Sequence, residues 1–159
     1  MKRMIFFLLS FPLLLSVQNK VPASQTLLVG RAIKIVDGDT FDLLVGSMTY
    51  RIRLNGIDTP ERGQPFYKNA KDALGAWCRL QPLTVKYKSK DRNGRLLGDV
   101  YTTNIHWINL KLVEEGMAWH FKKYSTDKTL STAEIKAKAN KIGLWKEANP
   151  VAPWIWRRK

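Results

Sequence analysis

The chain has few of the residues that form disulfides or hold zinc. Its 159 residues include a single cysteine, Cys78, and two histidines, His106 and His120. One cysteine cannot form an intramolecular disulfide, and so few thiol and imidazole groups argue against a zinc site. No histidine lies near Cys78 in the sequence to activate its thiol, so we expect Cys78 to be a small buried residue and not a nucleophile.

Acidic residues are also scarce. The chain has 13 Asp and Glu residues against 27 Lys and Arg residues, and its formal net charge is +14. This excess favours a polyanionic partner and electrostatic capture of phosphate backbones. Charge alone does not distinguish nucleic acid from an anionic membrane or a polysaccharide, and a cationic surface-adhesion protein would share it.

The apolar run near the start of the chain is short. It covers residues 4–17 and follows Lys2 and Arg3, which is typical of a secretory signal peptide and too brief for a comfortable membrane span. We predict a signal peptide over residues 1–23, with cleavage after Ala23; an uncleaved anchor is the alternative. The mature protein is then expected to be secreted or periplasmic, monomeric and without stable membrane association.

Alternating apolar residues predict the strands of a β-barrel. Three successive strands over Leu27–Val36, Phe41–Val45 and Met48–Leu54, joined by short turns, should form an antiparallel meander. Helical spacing after Pro65 predicts a helix to about Cys78, and two further strands follow, Leu83–Lys88 and Leu96–Thr102. This order predicts an α+β fold, a five-stranded OB-type Greek-key β-barrel with about three α-helices.

The remaining elements complete a single domain over residues 24–147. We predict a second helix capped by Asn109 and ended at Gly116, and a third opened by a capping box from Ser131 to Glu134. Residues 148–159, rich in proline, tryptophan and basic residues, are predicted to form an irregular tail.

Acidic residues stand where predicted strands end. Asp37 and Asp39 follow the first strand, and Asp58 and Glu61 follow the third. Each pair by itself is an ordinary turn signal. In a three-strand meander, however, these ends share one edge of the barrel, so Asp39 and Asp58 can converge on one hard cation, with Arg53 within reach of a phosphate.

In these segments the chain resembles the thermonuclease family, of the staphylococcal nuclease type, over nearly all of the mature sequence. The resemblance implies one Ca²⁺ ion bound by the carboxylates of Asp39 and Asp58 and by the backbone carbonyl of Thr59, with Asp37 just behind these ligands. The motifs that carry it are Val36–Thr40, Arg53-Leu54, Ile57–Glu61, Gln64–Phe66, Asp91–Arg95, Asn109–Ala118, Gly143–Trp145 and Pro153–Arg157.

The resemblance also implies an activity, the calcium-dependent hydrolysis of DNA and RNA without sequence preference, leaving 3′-phosphate ends. Glu61 is the candidate general base or water-orienting acceptor, and Arg53 and Arg95 are expected on the phosphate. At two positions where the best-known family member has tyrosines, this chain has Asn93 and Lys122.

Further contacts to nucleic acid are predicted for Arg92, Lys122 and Tyr124.

The alternative to a nuclease is a non-catalytic OB-type protein that binds single-stranded nucleic acid. A pure binding protein would gain nothing from carboxylates in the phosphate path, so the retained acids favour the enzyme.

Overall fold

The computed structural model describes residues 26–158. The predicted signal peptide and its cleavage site lie outside these residues. The elements, in chain order, are β1 Thr26–Asp37, β2 Thr40–Val45, β3 Met48–Leu54, β4 Ile57–Asp58, α1 Tyr67–Cys78, β5 Leu83–Lys90, β6 Leu96–Tyr101, α2 Ile108–Glu114, β7 Trp119–His120, α3 Lys128–Ala139, a 3₁₀-helix Gly143–Lys146 and α4 Pro153–Trp156.

Five strands close into a barrel in the order β1-β2-β3-β6-β5, and β1 pairs with β5 to complete it. All neighbours are antiparallel except β3 and β6, which run parallel, as the long connection through α1 and β5 allows. A separate two-stranded sheet joins β4 to β7. The predicted α+β fold with a five-stranded OB-type barrel is confirmed, with four α-helices in the described part of the chain.

The barrel interior and the helices share one hydrophobic core. Phe41 and Leu43 of β2 and Ile52 of β3 are fully buried, because alternate side chains of a strand point to the same face. From the helices, Leu74 and Leu112 pack into the same cluster. Cys78 is also buried there, and burial raises the pKa of its thiol to about 12, so its prediction as an inert buried residue agrees with the structure.

Two predicted helix starts are wrong. Asn109 does not cap α2, which begins one residue earlier; its side chain is fully buried, accepts a hydrogen bond from the Val100 N–H at 3.0 Å and donates to the Gly98 carbonyl at 3.1 Å. Asp127, and not Ser131, caps α3, since its carboxylate accepts hydrogen bonds from the first turn of that helix. Both errors have one cause. The side chains of Asn109 and Ser131 each bond to a residue outside their own helix and are therefore not available to cap that helix.

The capping-box residues make other contacts. Ser131 Oγ lies 3.0 Å from Nδ1 of the buried His120, and the nearly buried Glu134 pairs with Lys122 at 2.7 Å and Lys138 at 3.2 Å. These bonds fix α3 against the segment that begins with β7.

The predicted irregular tail contains the short helix α4, so that prediction is wrong. Pro153 is the first residue of α4, where its fixed backbone angle suits a helix start. The ring of Trp154 stacks on Phe121, with centroids 4.9 Å apart and an angle of 2° between the planes. Aromatic packing therefore holds the last described residues against the domain. Within residues 26–158, no helix has the length and apolar character needed to cross a bilayer.

Candidate active site

Close packing of a turn against β4 builds one edge of the barrel. A Cβ at Gly38 would lie 2.8 Å from Thr59 Oγ1, so glycine allows the β1–β2 turn to approach that residue. Asp39 Oδ2 accepts a hydrogen bond from the Thr59 N–H at 3.0 Å, and the Leu54 N–H donates to the Asp39 carbonyl at 2.8 Å. The turn, the end of β3 and β4 are thereby fixed to one another.

Arg53 joins the two aspartates at this edge. Its Nη2 lies 3.0 Å from Asp39 Oδ2 and 2.8 Å from Asp58 Oδ1. Its Nη1 donates to the carbonyls of Leu54 at 2.7 Å and Ile57 at 2.9 Å, which fixes the plane of the guanidinium. Exposed fractions are 9% for Arg53, 5% for Asp39 and 2% for Asp58. The structure thus brings together the three residues that the strand-end argument placed on one edge.

The concentration of negative charge here is visible in the carboxylate pKa values. Burial, together with the neighbouring charge of Asp39, raises the pKa of Asp37 to about 6. Burial also raises the pKa of Asp58, although hydrogen bonds from Arg157 and the charge of Arg53 act in the opposite direction. The arginines therefore compensate only part of the cost of burying Asp58.

Glu61 lies at the open side of the site, with its side chain 38% exposed. Its backbone N–H donates to Gln64 Oε1 at 2.7 Å, which orders the segment between β4 and α1. The carboxylate is paired with Nη1 of Arg157, and Nη2 of the same guanidinium lies 2.7 Å from Asp58 Oδ2.

Arg157 is the site residue that sequence reasoning missed. It is 96 positions from Glu61, so no local spacing connects them. The Pro-Trp-Ile-Trp-Arg ending is one of the motifs that carry the family resemblance, and it is the signal that could have indicated a role for its arginine.

Arg95 lies on the hairpin between β5 and β6. Its Nε is 2.7 Å from Asp91 Oδ2, and the same aspartate accepts the Arg95 backbone N–H at 2.9 Å, so its ion pair within the hairpin keeps its side chain on that turn. The parallel pairing of Arg53 with Leu97 sets the hairpin beside the strand that carries Arg53. Arg92, on the same turn, is exposed.

The other predicted nucleic-acid contacts lie on the side of the molecule formed by β7 and α3. Lys122 has a structural partner, Glu134, although 60% of its side chain is exposed. Tyr124 is 69% exposed and meets Phe121 edge to face at 4.8 Å. A contact of either residue to nucleic acid stays a prediction.

The donor chemistry of this edge suits a hard divalent cation. Oδ2 of Asp39 and Oδ1 of Asp58 both lie within 3.0 Å of Nη2 of Arg53, so the two carboxylates are close enough to share one cation beside that guanidinium. Such oxygens, completed by backbone carbonyls and water, are the ligands that Ca²⁺ takes. Across residues 26–158, no group of three or more His, Cys, Asp or Glu side chains forms a metal-binding cluster, so backbone oxygen and water would have to complete the coordination.

Buried carboxylates that converge at a barrel edge, beside arginines and on a strongly basic chain, define an enzyme that acts on phosphodiesters. The comparison with family models agrees: residues 51–147 match the family described as staphylococcal nuclease homologue. The chain belongs to this family and is an endonuclease, a phosphodiesterase. The resemblance stated from the motifs is thereby confirmed.

Individual relatives point the same way. A protein of Escherichia coli O157:H7 named uncharacterized endonuclease is 38% identical over 130 residues, covering 82% of this chain and 85% of the relative. The micrococcal nuclease of Shigella flexneri is 40% identical over 139 residues, covering 81% and 80%. Protein ParB of Escherichia coli is 33% identical over 175 residues, covering 100% and 96%. The first two of these names favour the enzyme over the non-catalytic binding protein.

Proposed function

We propose that this nuclease depends on Ca²⁺, cleaves DNA and RNA without sequence preference and leaves 3′-phosphate ends. The observation that carries the proposal is the pair Asp39 and Asp58, held by Arg53 at one barrel edge beside Glu61. We propose further that the protein acts as a secreted or periplasmic monomer without stable membrane association.

The cation would be held by Asp39, Asp58 and the Thr59 carbonyl. Asp37 would support these ligands without binding the cation itself. Bound Ca²⁺ would neutralise the anionic oxygens of a phosphodiester, which otherwise repel an attacking hydroxide. Asp37 Oδ1 accepts the Asp39 N–H at 3.3 Å, and this contact helps to orient the turn that carries the first ligand.

The arginines supply further positive charge where the transition state carries negative charge. Arg53 is fixed by four polar contacts that engage both Nη atoms, so its charge is held near the site in advance and would act on the phosphate through space or through Nε. Arg95, on the neighbouring hairpin, would leave Asp91 to meet the phosphate, and a guanidinium suits two phosphoryl oxygens at once.

Glu61 would act on the attacking water. Its carboxylate is partly exposed, so water can reach it, and it stands beside the proposed cation ligand Asp58. Acceptance of a proton from that water by Glu61 would generate the nucleophile in place. The bond from phosphorus to the 5′-oxygen would break as the new phosphorus–oxygen bond forms, the leaving oxygen would take a proton from solvent to become a 5′-hydroxyl, and the phosphate would remain on the 3′ side.

The lack of sequence preference follows from contacts to the backbone. Arg92, Lys122 and Tyr124 are proposed to contact nucleic acid through phosphate charge and base stacking, neither of which identifies a base edge. The net charge of +14, which falls to +11 without Lys2, Arg3 and Lys20 of the predicted signal peptide, supports electrostatic capture of either nucleic acid.

Plasmid DNA and a labelled single-stranded RNA, digested with purified protein, test this proposal. Activity should vanish in excess chelator and return with Ca²⁺ better than with Zn²⁺, because the ligands are hard oxygens. Products should resist polymerase extension until a phosphatase removes the 3′-phosphate. Full activity in chelator would exclude the cation, and extendable products would exclude the proposed direction of cleavage.

The role of Glu61 has a matched control. Glu61→Gln should lower turnover by about 10²-fold or more, since it removes a general base while keeping the shape of the side chain. Glu114→Gln makes the same change at an exposed residue at the end of α2 and should leave turnover unchanged. Equal activity of the two variants would remove Glu61 from the mechanism.

A further inference from the structure

Arg157 occupies the carboxylates on which the proposed chemistry depends. Its Nη2 lies 2.7 Å from Asp58 Oδ2, and its Nη1 lies 3.3 Å from Asp58 Oδ1 and also contacts Glu61. One guanidinium therefore spans a proposed cation ligand and the proposed base.

The position of Arg157 is set by firmly held neighbours. Trp154 of α4 stacks on Phe121, and Gln64 Nε2 donates to the Val151 carbonyl at 3.0 Å. The same Gln64 side chain accepts the Glu61 N–H, so it links the tail to the acidic segment directly. The backbone before Arg157 is thus anchored at the site.

The side chain of Arg157 is free to move in a way that Arg53 is not. It is 42% exposed, whereas the Arg53 side chain is 11% exposed and also bonded to two carbonyls. A long side chain on a fixed backbone can turn into solvent without loss of core packing.

A divalent cation and this guanidinium compete for the same oxygens. Asp58 is 2% exposed, and its two oxygens are already contacted by Arg53 on one side and Arg157 on the other. A third positive group at so little exposed surface would meet strong repulsion, because charges interact more strongly away from water. Arg157 has the more mobile side chain of the two arginines, so it is the group that leaves.

We propose that Arg157 is an internal counter-ion that holds Asp58 and Glu61 in the cation-free protein and is displaced when a divalent cation binds Asp58. Its departure also frees the Glu61 carboxylate oxygen that the guanidinium contacts, so that oxygen can meet a water molecule. Cation binding and exposure of the base are coupled through one side chain. This inference rests on the proposed function, because it takes Asp58 as a cation ligand.

Calorimetric titration with Ca²⁺ at constant ionic strength tests the competition. Arg157→Gln should bind Ca²⁺ about three- to tenfold more tightly than wild type. In wild type, the Arg157–Asp58 ion pair must break before Ca²⁺ can bind, and the variant has no such pair to break. Arg158→Gln removes the same charge one residue further on, from an exposed position, and should change affinity by less than about twofold. Arg157→Lys keeps the positive charge but lacks the planar guanidinium that contacts two carboxylates at once, so its Ca²⁺ affinity should lie between those of wild type and Arg157→Gln.

Thermal unfolding gives a second readout. In chelator, Arg157→Gln should melt below wild type, and in saturating Ca²⁺ the two should converge, since the pair is broken in both. Unchanged or weaker Ca²⁺ affinity in Arg157→Gln, or a melting difference that persists in Ca²⁺, would overturn the proposal.

Asp58→Asn separates this inference from the proposed function. If Asp58→Asn abolishes Ca²⁺ binding while Arg157→Gln binds as wild type does, the displacement fails and the cation site stands. If Asp58→Asn binds Ca²⁺ as tightly as wild type, both fail.

Discussion

Replacement of Arg53 by alanine should destabilise the protein far more than the same change at Arg51, two positions away on β3. Arg53→Ala leaves the nearly buried Asp39 and Asp58 without the guanidinium that joins them, and leaves two backbone carbonyls without a donor. Removal of one partner from a buried ion pair costs about 3–5 kcal/mol, because the remaining charge stays desolvated. Arg51 pairs with Asp42 at 2.8 Å, but its side chain is 49% exposed, so solvent screens the pair and its loss should destabilise the protein far less.

Thermal melting in chelator measures this difference. A loss of 3–5 kcal/mol in a domain of this size corresponds to a fall in Tm of about 10–20 °C for Arg53→Ala, against less than about 4 °C for Arg51→Ala. Ca²⁺ should recover part of the loss at Arg53, since a bound cation restores positive charge beside the aspartates. Similar small shifts in both variants would refute the view that Arg53 organises the site.

Three further predictions concern the supports of the site and of the fold. Gly38→Ala should weaken Ca²⁺ binding in calorimetry, because its Cβ would come within 2.8 Å of Thr59 Oγ1; an unchanged affinity would contradict this. Asn109→Ala should lower the free energy of unfolding in urea by about 2–4 kcal/mol, since buried backbone groups lose their partners, and a loss below 1 kcal/mol would argue against that. Burial opposes the charge of Glu134, but its lysine partners outweigh this and hold its pKa below the ordinary 4.5, so its contribution is complete above pH 4.5 and lost as the pH falls through the lower pKa. Glu134→Gln should therefore flatten stability against pH below 4.5, and an unaltered curve there would exclude this contribution.

Much of the barrel could be predicted because its signals are local. Alternation in β1 to β3 reflects which residues face the core, and that face repeats every two positions whatever the rest of the chain does. The convergence of Asp39 and Asp58 also followed from local information, since each stands where a strand of the meander ends. Membership of the nuclease family was visible in the same motifs.

The helix starts were predicted less well because capping competes with distant partners. Ser131 and Glu134 have the spacing of a capping box, yet His120 and Lys122 bind them, while Asp127 caps α3. The favoured arrangement of hydrogen bonds is the one that leaves the fewest buried polar groups without a partner. Which arrangement that is depends on which segments pack together.

The sequence by itself determined the barrel strands, the acidic turns and the family, because these depend on spacing within a few residues. Tertiary structure alone decided that Arg157 lies on Asp58 and Glu61 and that Asn109 ties α2 to the barrel. Ion pairs and buried hydrogen bonds act over a few ångströms of space with no regard for distance along the chain, so only the packing of α2 against the barrel and of α4 against Phe121 could bring these groups together.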